Sequence, residues 1–240
     1  MTDQPLPQIE SLPSADAWAE AAADRLADAL RAAVAGRGRA LFAGAGGSTP
    51  SPIYRRLAQA DLDWSRVTVL PVDERHVPES SPDSNAALLR RTLLTGPAAS
   101  ATLLPLHHAA VTVDRAAALA ARALQQAGER IDAALLGMGE DGHILSIFPG
   151  SPTLRTLLAP QLKATVLGVP PGRDGTAPPQ ERISLNLPYL KGAGRVVLAL
   201  TGTRKREVFT RDLAGDPATT PVAALAALGA PLDVIWTETA

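Results

Sequence analysis

The 240-residue chain contains no cysteine. Disulfides, a thiol nucleophile and a thiolate-ligated metal are therefore excluded, and a reducing cytoplasm is the expected compartment. An excess of either charge is also missing: 23 basic against 24 acidic residues leave a net charge of -1. No global field draws in nucleic acid or an anionic membrane, so an anionic ligand would need a local basic pocket. No apolar run approaches the length that spans a bilayer. The N-terminal stretch MTDQPLPQIESLPS has neither a basic n-region nor an apolar h-region and does not read as a signal peptide. Aromatic residues make up only 3% of the chain. Trp18, Trp64 and Trp236 lie on apolar faces and read as core or interface residues, not as a binding platform. What is present is a hydrophobic content of 46%, enough for the sizeable core of one α/β domain spanning residues 1–240.

Strand-like and helix-like segments alternate along the chain. Ser14 or Asp16 is placed to cap a first helix reaching about residue 35. A strand is expected over 39–43, a helix from near Pro52, and a second strand over 66–72. Ser84 reads as the N-cap of a helix over 85–94, followed by a short strand over 103–106. Asp114 opens a helix to about 127, and 131–137 is an apolar strand. Further strands are expected over 162–169, 182–187, 195–201 and 232–236, with helices over 204–213 and after Pro221. The Pro/Gly-rich segment 170–180 reads as a mobile loop. This alternation predicts a three-layer α/β/α Rossmann-like fold with a mainly parallel sheet.

Four segments at strand ends can carry chemistry, because open α/β sheets bind ligands beyond the carboxyl ends of their strands. The richest is Gly137-Met138-Gly139-Glu140-Asp141-Gly142-His143, where glycines and acids surround one histidine. Glycines let the backbone approach a ligand, and an imidazole there can take a proton near neutral pH. Gly44-Ala45-Gly46-Gly47-Ser48-Thr49-Pro50 follows a strand and opens a helix, a setting that favours phosphate. It is neither a P-loop nor the usual dinucleotide fingerprint, and a turn that merely permits close packing would look alike. Asp73-Glu74-Arg75-His76 places Asp73 and Arg75 on one side if the strand continues. That pair could orient a sugar hydroxyl and stabilise an oxyanion, or form a solvated ion pair. Lys205, after Thr201-Gly202-Thr203-Arg204, opposes the helix dipole and so suits an anion, although a solvent-facing lysine fits the same pattern. Arg182 offers a second cation. His107 and His108 do not match a metal-site spacing, and no metal is expected.

Together these segments give the chain a resemblance to the family of 6-phosphogluconolactonases and glucosamine-6-phosphate deaminases. GGSTP at 46–50, DERHVP at 73–78, Ser84-Asn85, GMGEDGH with SIFPG over 137–150, RISLNLP at 182–188 and TGTRK at 201–205 occur in order. The resemblance implies hydrolysis of 6-phospho-D-glucono-1,5-lactone, a sugar-phosphate substrate. It also implies phosphate contacts at Gly46, Gly47, Ser48, Arg182 and Lys205, and chemistry at Asp73, Arg75 and His143. Two departures stand out. Ala45 replaces a common serine, and Ile144-Leu145-Ser146-Ile147 replaces the usual Thr-Ala-Ser-Leu.

The expected mechanism is direct attack of water on C1, with His143 as general base and Arg75 offsetting charge on the intermediate. Asp73 would orient His143 or bind a ring hydroxyl. A lactone is an activated acyl group, so no cofactor is expected. No G-x-S-x-G elbow is present to support a covalent serine route. One alternative is deamination of glucosamine 6-phosphate. It is disfavoured because no acid follows in Ser146 to Gly150 and because DERHVP replaces a DEY-like motif. Another is a non-catalytic sugar-phosphate-binding module, which would usually bring a DNA-binding segment absent before Arg39. The partner set is a small molecule, with no nucleic acid or membrane, in a monomer or small homo-oligomer.

Overall fold

The computed structural model describes residues 6–47, 49–109, 112–128, 130–172, 175 and 177–239. The strands are β1 (Ile9–Ser11), β2 (Ala40–Gly44), β3 (Val67–Pro71), β4 (Asp73–Arg75), β5 (Thr102–Leu103), β6 (Ala133–Leu136), β7 (Val166–Val169), β8 (Arg182–Leu185), β9 (Arg195–Thr201) and β10 (Leu232–Thr237). The helices are α1 (Ala15–Arg37), α2 (Ser51–Leu57), α3 (Asn85–Thr92), α4 (Val113–Ala127), α5 (Leu154–Leu158), α6 (Thr203–Leu213) and α7 (Pro221–Ala226).

Seven strands form one sheet in the order β1-β10-β9-β6-β2-β3-β5, with every pair parallel. Strands covered on both faces read as unbroken apolar runs, and β2 and β6 are buried at every position. Alternate residues serve opposite layers. Phe42, Leu135 and Val197 pack with α1, α2 and α3 on one face. Leu41, Leu136 and Leu198 pack with α4 to α7 on the other. This is the expected three-layer arrangement.

The longest helix shows why the layers form. In α1, Trp18, Ala22, Leu26 and Leu30 recur every fourth residue and bury one stripe. Ser14, rather than Asp16, is its cap and accepts the Ala17 N–H at 3.1 Å. Gly38 ends it at φ 71°, a left-handed conformation that a side chain would strain.

The chain runs outward from β2 to β3 and β5, then returns to place β6 on the other side of β2. The β2/β6 boundary is thus a topological switch point, where the loops after both strands diverge and leave a crevice.

Several elements differ from expectation. The strands expected over 162–169 and 182–187 are shorter, and they do not join the parallel sheet. As β7 and β8 they form a small antiparallel sheet with β4. Val72 explains the change, since its N–H donates to Gly44 O at 2.9 Å and its carbonyl accepts from Leu185 N at 3.0 Å. The chain leaving β3 is handed from one sheet to the other at that residue. β1 has no legible periodicity, having one apolar residue in three, and it forms only as an edge strand on β10. The strand expected over 103–106 is the two-residue β5. Among the described residues, no helix is long and apolar enough to cross a membrane.

Candidate functional site

Adjacent strands β9, β6, β2 and β3 bring their carboxyl ends together, and a cavity of about 310 Å³ opens there. Gly46 and Gly47 line it from the end of β2, and Asp73 and Arg75 line it from β4. His143 enters from the loop after β6, Arg182 from β8, and Lys205 from the first turn of α6. Ser48 lies outside the described residues.

The β4 strand sorts its side chains by alternation. Asp73 and Arg75 face the cavity, while Glu74 turns to the start of α3. There Glu74 accepts from Asn85 N and Ala86 N, each at 2.8 Å, and from Arg75 N at 2.7 Å. Ser84 Oγ adds a bond at 3.1 Å and itself accepts from Ala87 N. Two groups thus saturate the free N–H donors of α3 and pin β4 beside the crevice. Burial pushes the Glu74 carboxyl up, and these bonds oppose that only in part.

Asp73 is buried and committed. It accepts from Ser146 Oγ at 2.5 Å, lies 3.9 Å from Arg182 Nη1, and has the Asn85 amide on its backbone carbonyl at 2.8 Å. It forms no hydrogen bond or ion pair with His143. The partner of that imidazole is Asp141, whose Oδ1 lies 2.6 Å from Nδ1 and accepts the His143 backbone N–H at 3.2 Å. An ionised carboxylate only accepts, so the ring proton sits on Nδ1 and Nε2 carries the lone pair. Burial pushes the Asp141 carboxyl up, but the hydrogen bonds and charge of His143 outweigh it and hold the group below the usual carboxylate range.

Glycine is required where this loop folds on itself. A Cβ on Gly139 would collide with the His143 ring and the Asp141 carboxylate, and Gly142 adopts φ 86°. On the β2 side, a Cβ on Gly46 would collide with the Asn85 amide. Leu145, which also lines the cavity, holds φ 51°, an uncommon conformation for a side-chain-bearing residue. Phe148 is a shared floor. Its ring centroid lies 4.6 Å from that of His143 and 5.7 Å from the Arg182 guanidinium.

The cations are only partly matched by acids: Arg182 has Asp73 at 3.9 Å, whereas Arg75 and Lys205 form no ion pair with any described residue. Arg75 and Arg182 are directly opposite each other across the antiparallel pair β4/β8. Facing like charges are unfavourable unless an anion lies between or beside them. The Nε atoms of both are buried without a hydrogen-bond partner. Burial pulls the Arg182 guanidinium down; Asp73 opposes this and Arg75 adds to it. Lys205 stands on the first turn of α6, whose N-terminus has no side-chain cap. Free N–H groups, a lysine and two guanidinium groups suit a phosphoryl group or a developing oxyanion.

Of the residues without a role in the sequence reading, Asp141 matters most. Its signal was an acid two places before a histidine with glycine between, an Asx-turn pattern. Phe148 and Ser146 gave no such signal. His107 is half-buried, with its ring 5.3 Å from that of His76, whose Nδ1 is 2.9 Å from Glu181. Among the described residues, no group of three or more His, Asp or Glu is arranged to hold a metal ion.

Fold and cavity define an α/β protein with an anchored imidazole and a pocket lined by three cations at the carboxyl edge of a parallel sheet. The chain belongs to the family of glucosamine-6-phosphate isomerases and 6-phosphogluconolactonases, whose model matches residues 13–236. It is 40% identical over 222 residues to the 6-phosphogluconolactonase of Rhizobium meliloti, covering 92% of this chain and 94% of that one. It is 40% identical over 226 residues to the 6-phosphogluconolactonase of Pseudomonas aeruginosa, covering 93% and 92%. A crystal structure of a 6-phosphogluconolactonase from Shewanella baltica superposes with a TM-score of 0.88 at 31% identity, covering 96% of this chain and 97% of that one. A monomeric glucosamine-6-phosphate deaminase shares the fold at 18% identity with a TM-score of 0.73, covering 96% and 97%.

Proposed function

We propose that the protein hydrolyses 6-phospho-D-glucono-1,5-lactone to 6-phospho-D-gluconate, a step of the oxidative pentose phosphate pathway. The observation that carries this reading is one cavity holding both a carboxylate-anchored imidazole and three cations, Arg75, Arg182 and Lys205, against the single lining carboxylate of Asp73. The identity to 6-phosphogluconolactonases over nearly the whole chain supports the substrate.

Lys205, the start of α6, Arg182 and the Gly46–Gly47 turn hold the phosphoryl group, and Ser48 is assigned to the same group. Fixing that remote end sets C1 near the base and removes much of the entropic cost of the encounter. His143 Nε2 takes a proton from water as its oxygen bonds to C1, and the carbonyl electron pair moves onto oxygen. Asp141 stabilises the imidazolium that forms, and Arg75 faces the oxyanion. Collapse re-forms the carbonyl and breaks the bond from C1 to the ring oxygen. The imidazolium returns its proton to that leaving oxygen, and the carboxylic acid product ionises. Asp73 is a positioning residue. With Ser146 it fixes Arg182, and it leaves the orientation of His143 to Asp141.

Assaying lactone consumption beside ammonia release from glucosamine 6-phosphate tests the reading. Acceleration of lactone loss without ammonia is expected. Ammonia release with no lactone acceleration would replace the lactonase by a deaminase.

A further inference from the structure

A second hollow of about 460 Å³ adjoins the cavity. Gly47, Arg75 and Asn85 border both spaces. The outer hollow adds Arg55 from the last turn of α2 and Arg91 from the last turn of α3, with Ser51 beside them. Among the described residues that line it, none is acidic. Arg55 and Arg91 form no ion pair with any described residue, whereas their neighbours Arg56 and Arg90 are bound to Asp16 and Glu79. Arg55 also borders a groove containing Asp16, Glu20 and Asp24, where it forms no ion pair and Asp16 is engaged by Arg56. Basic residues in a last turn complement the helix dipole, which accounts for one arginine on each helix. It does not account for two arginines without an ion pair bordering the same hollow as a third. A recess lined by one sign of charge concentrates the field and draws in a counter-ion.

We propose that this hollow is a second anion site for a phosphate-class dianion, held by Arg55 and Arg91 against the outer side of Arg75. Such an ion partly neutralises Arg75, whose inner side belongs to the catalytic cavity. Occupancy therefore lowers turnover without displacing substrate, and the outer hollow reports phosphate concentration to the reaction. The regulatory consequence rests on the lactonase reading; the binding site does not.

Inorganic phosphate titrated calorimetrically at constant ionic strength is the direct test. The wild type should bind two ions per chain. Lys205→Ala should lose the inner one. Arg55→Gln/Arg91→Gln should weaken the outer one about tenfold, the scale of a lost charge-assisted hydrogen bond or two. Arg115→Gln/Arg122→Gln makes the same charge change on the exposed side of α4 and should alter neither. In turnover, phosphate should depress kcat of the wild type at saturating lactone, and Arg55→Gln/Arg91→Gln should lose that effect while keeping its basal kcat/KM. A single phosphate per chain, or an outer site equally weakened by the α4 control, would overturn the proposal. If the protein showed no lactonase activity, the calorimetric result would still decide the site.

Discussion

Replacing Asp141 by Asn tests the pair at the centre of the mechanism. The carboxylate lies 2.6 Å from His143 Nδ1 and holds the backbone N–H of the same residue at 3.2 Å. Asn keeps the size and can keep the backbone bond, so the loop should retain its shape. What is lost is the negative charge facing an imidazolium in the transition state. Two unit charges about 4 Å apart at an effective dielectric constant near 20 interact by roughly 4 kcal/mol. The Asp141 side chain is 52% exposed, so solvent screening reduces this to about 3 kcal/mol. That corresponds to roughly a 10²-fold fall in kcat. Asp141 is not among the residues lining the cavity, so KM should stay close to its wild-type value. Steady-state kinetics by pH-stat or a coupled dehydrogenase assay reads both constants. A kcat within about threefold of wild type would show that the carboxylate does not support the base. A KM rising in step with the fall in kcat/KM would move Asp141 into substrate binding.

Other outcomes follow from the same geometry. Lys205→Ala should raise KM by about 10-fold or more and change kcat less, because the phosphoryl group is held equally in ground and transition states; a kcat effect alone would contradict the assignment. Glu74→Gln replaces an acceptor of three backbone N–H groups by an amide that must turn one donor toward them, and chemical denaturation should show a loss of about 1–3 kcal/mol. The Asp141 carboxyl is held below its usual range, so its contribution to stability is present above its unfolded value and is lost as pH falls through the folded one. Melting temperatures of wild type and Asp141→Asn should therefore differ while Asp141 is ionised, and the gap should close as pH falls below about 4 and Asp141 takes its proton; a gap that persisted undiminished in stronger acid would count against the pair.

The parallel layers were legible because their strands are unbroken apolar runs and their helices carry clear stripes, as in β9 and α1. Local chemistry also marked Ser84 as a cap and the glycine loops as turns. The small antiparallel sheet was not legible. Its strands look like any other short apolar segment, and their pairing depends on Val72 bonding to two sheets at once. Partnerships across the chain were hidden for a similar reason. The spacing of Asp73 and Arg75 shows a common face, but only the fold sets Arg75 opposite Arg182 and ties Asp73 to Ser146. Asp141 was legible in principle, since an acid two residues from a histidine can close an Asx turn on it. The Phe148 floor depends on a loop path with no periodic signature.

The most direct test of the central claim is the rate of 6-phospho-D-glucono-1,5-lactone loss, followed by NMR and corrected for spontaneous hydrolysis, for the wild type and His143→Ala. The mechanism predicts strong acceleration by the wild type and a rate lower by about 10²–10⁴-fold in the variant, with phosphate-end binding retained. A variant as fast as the wild type, or a wild type no faster than buffer, would contradict it.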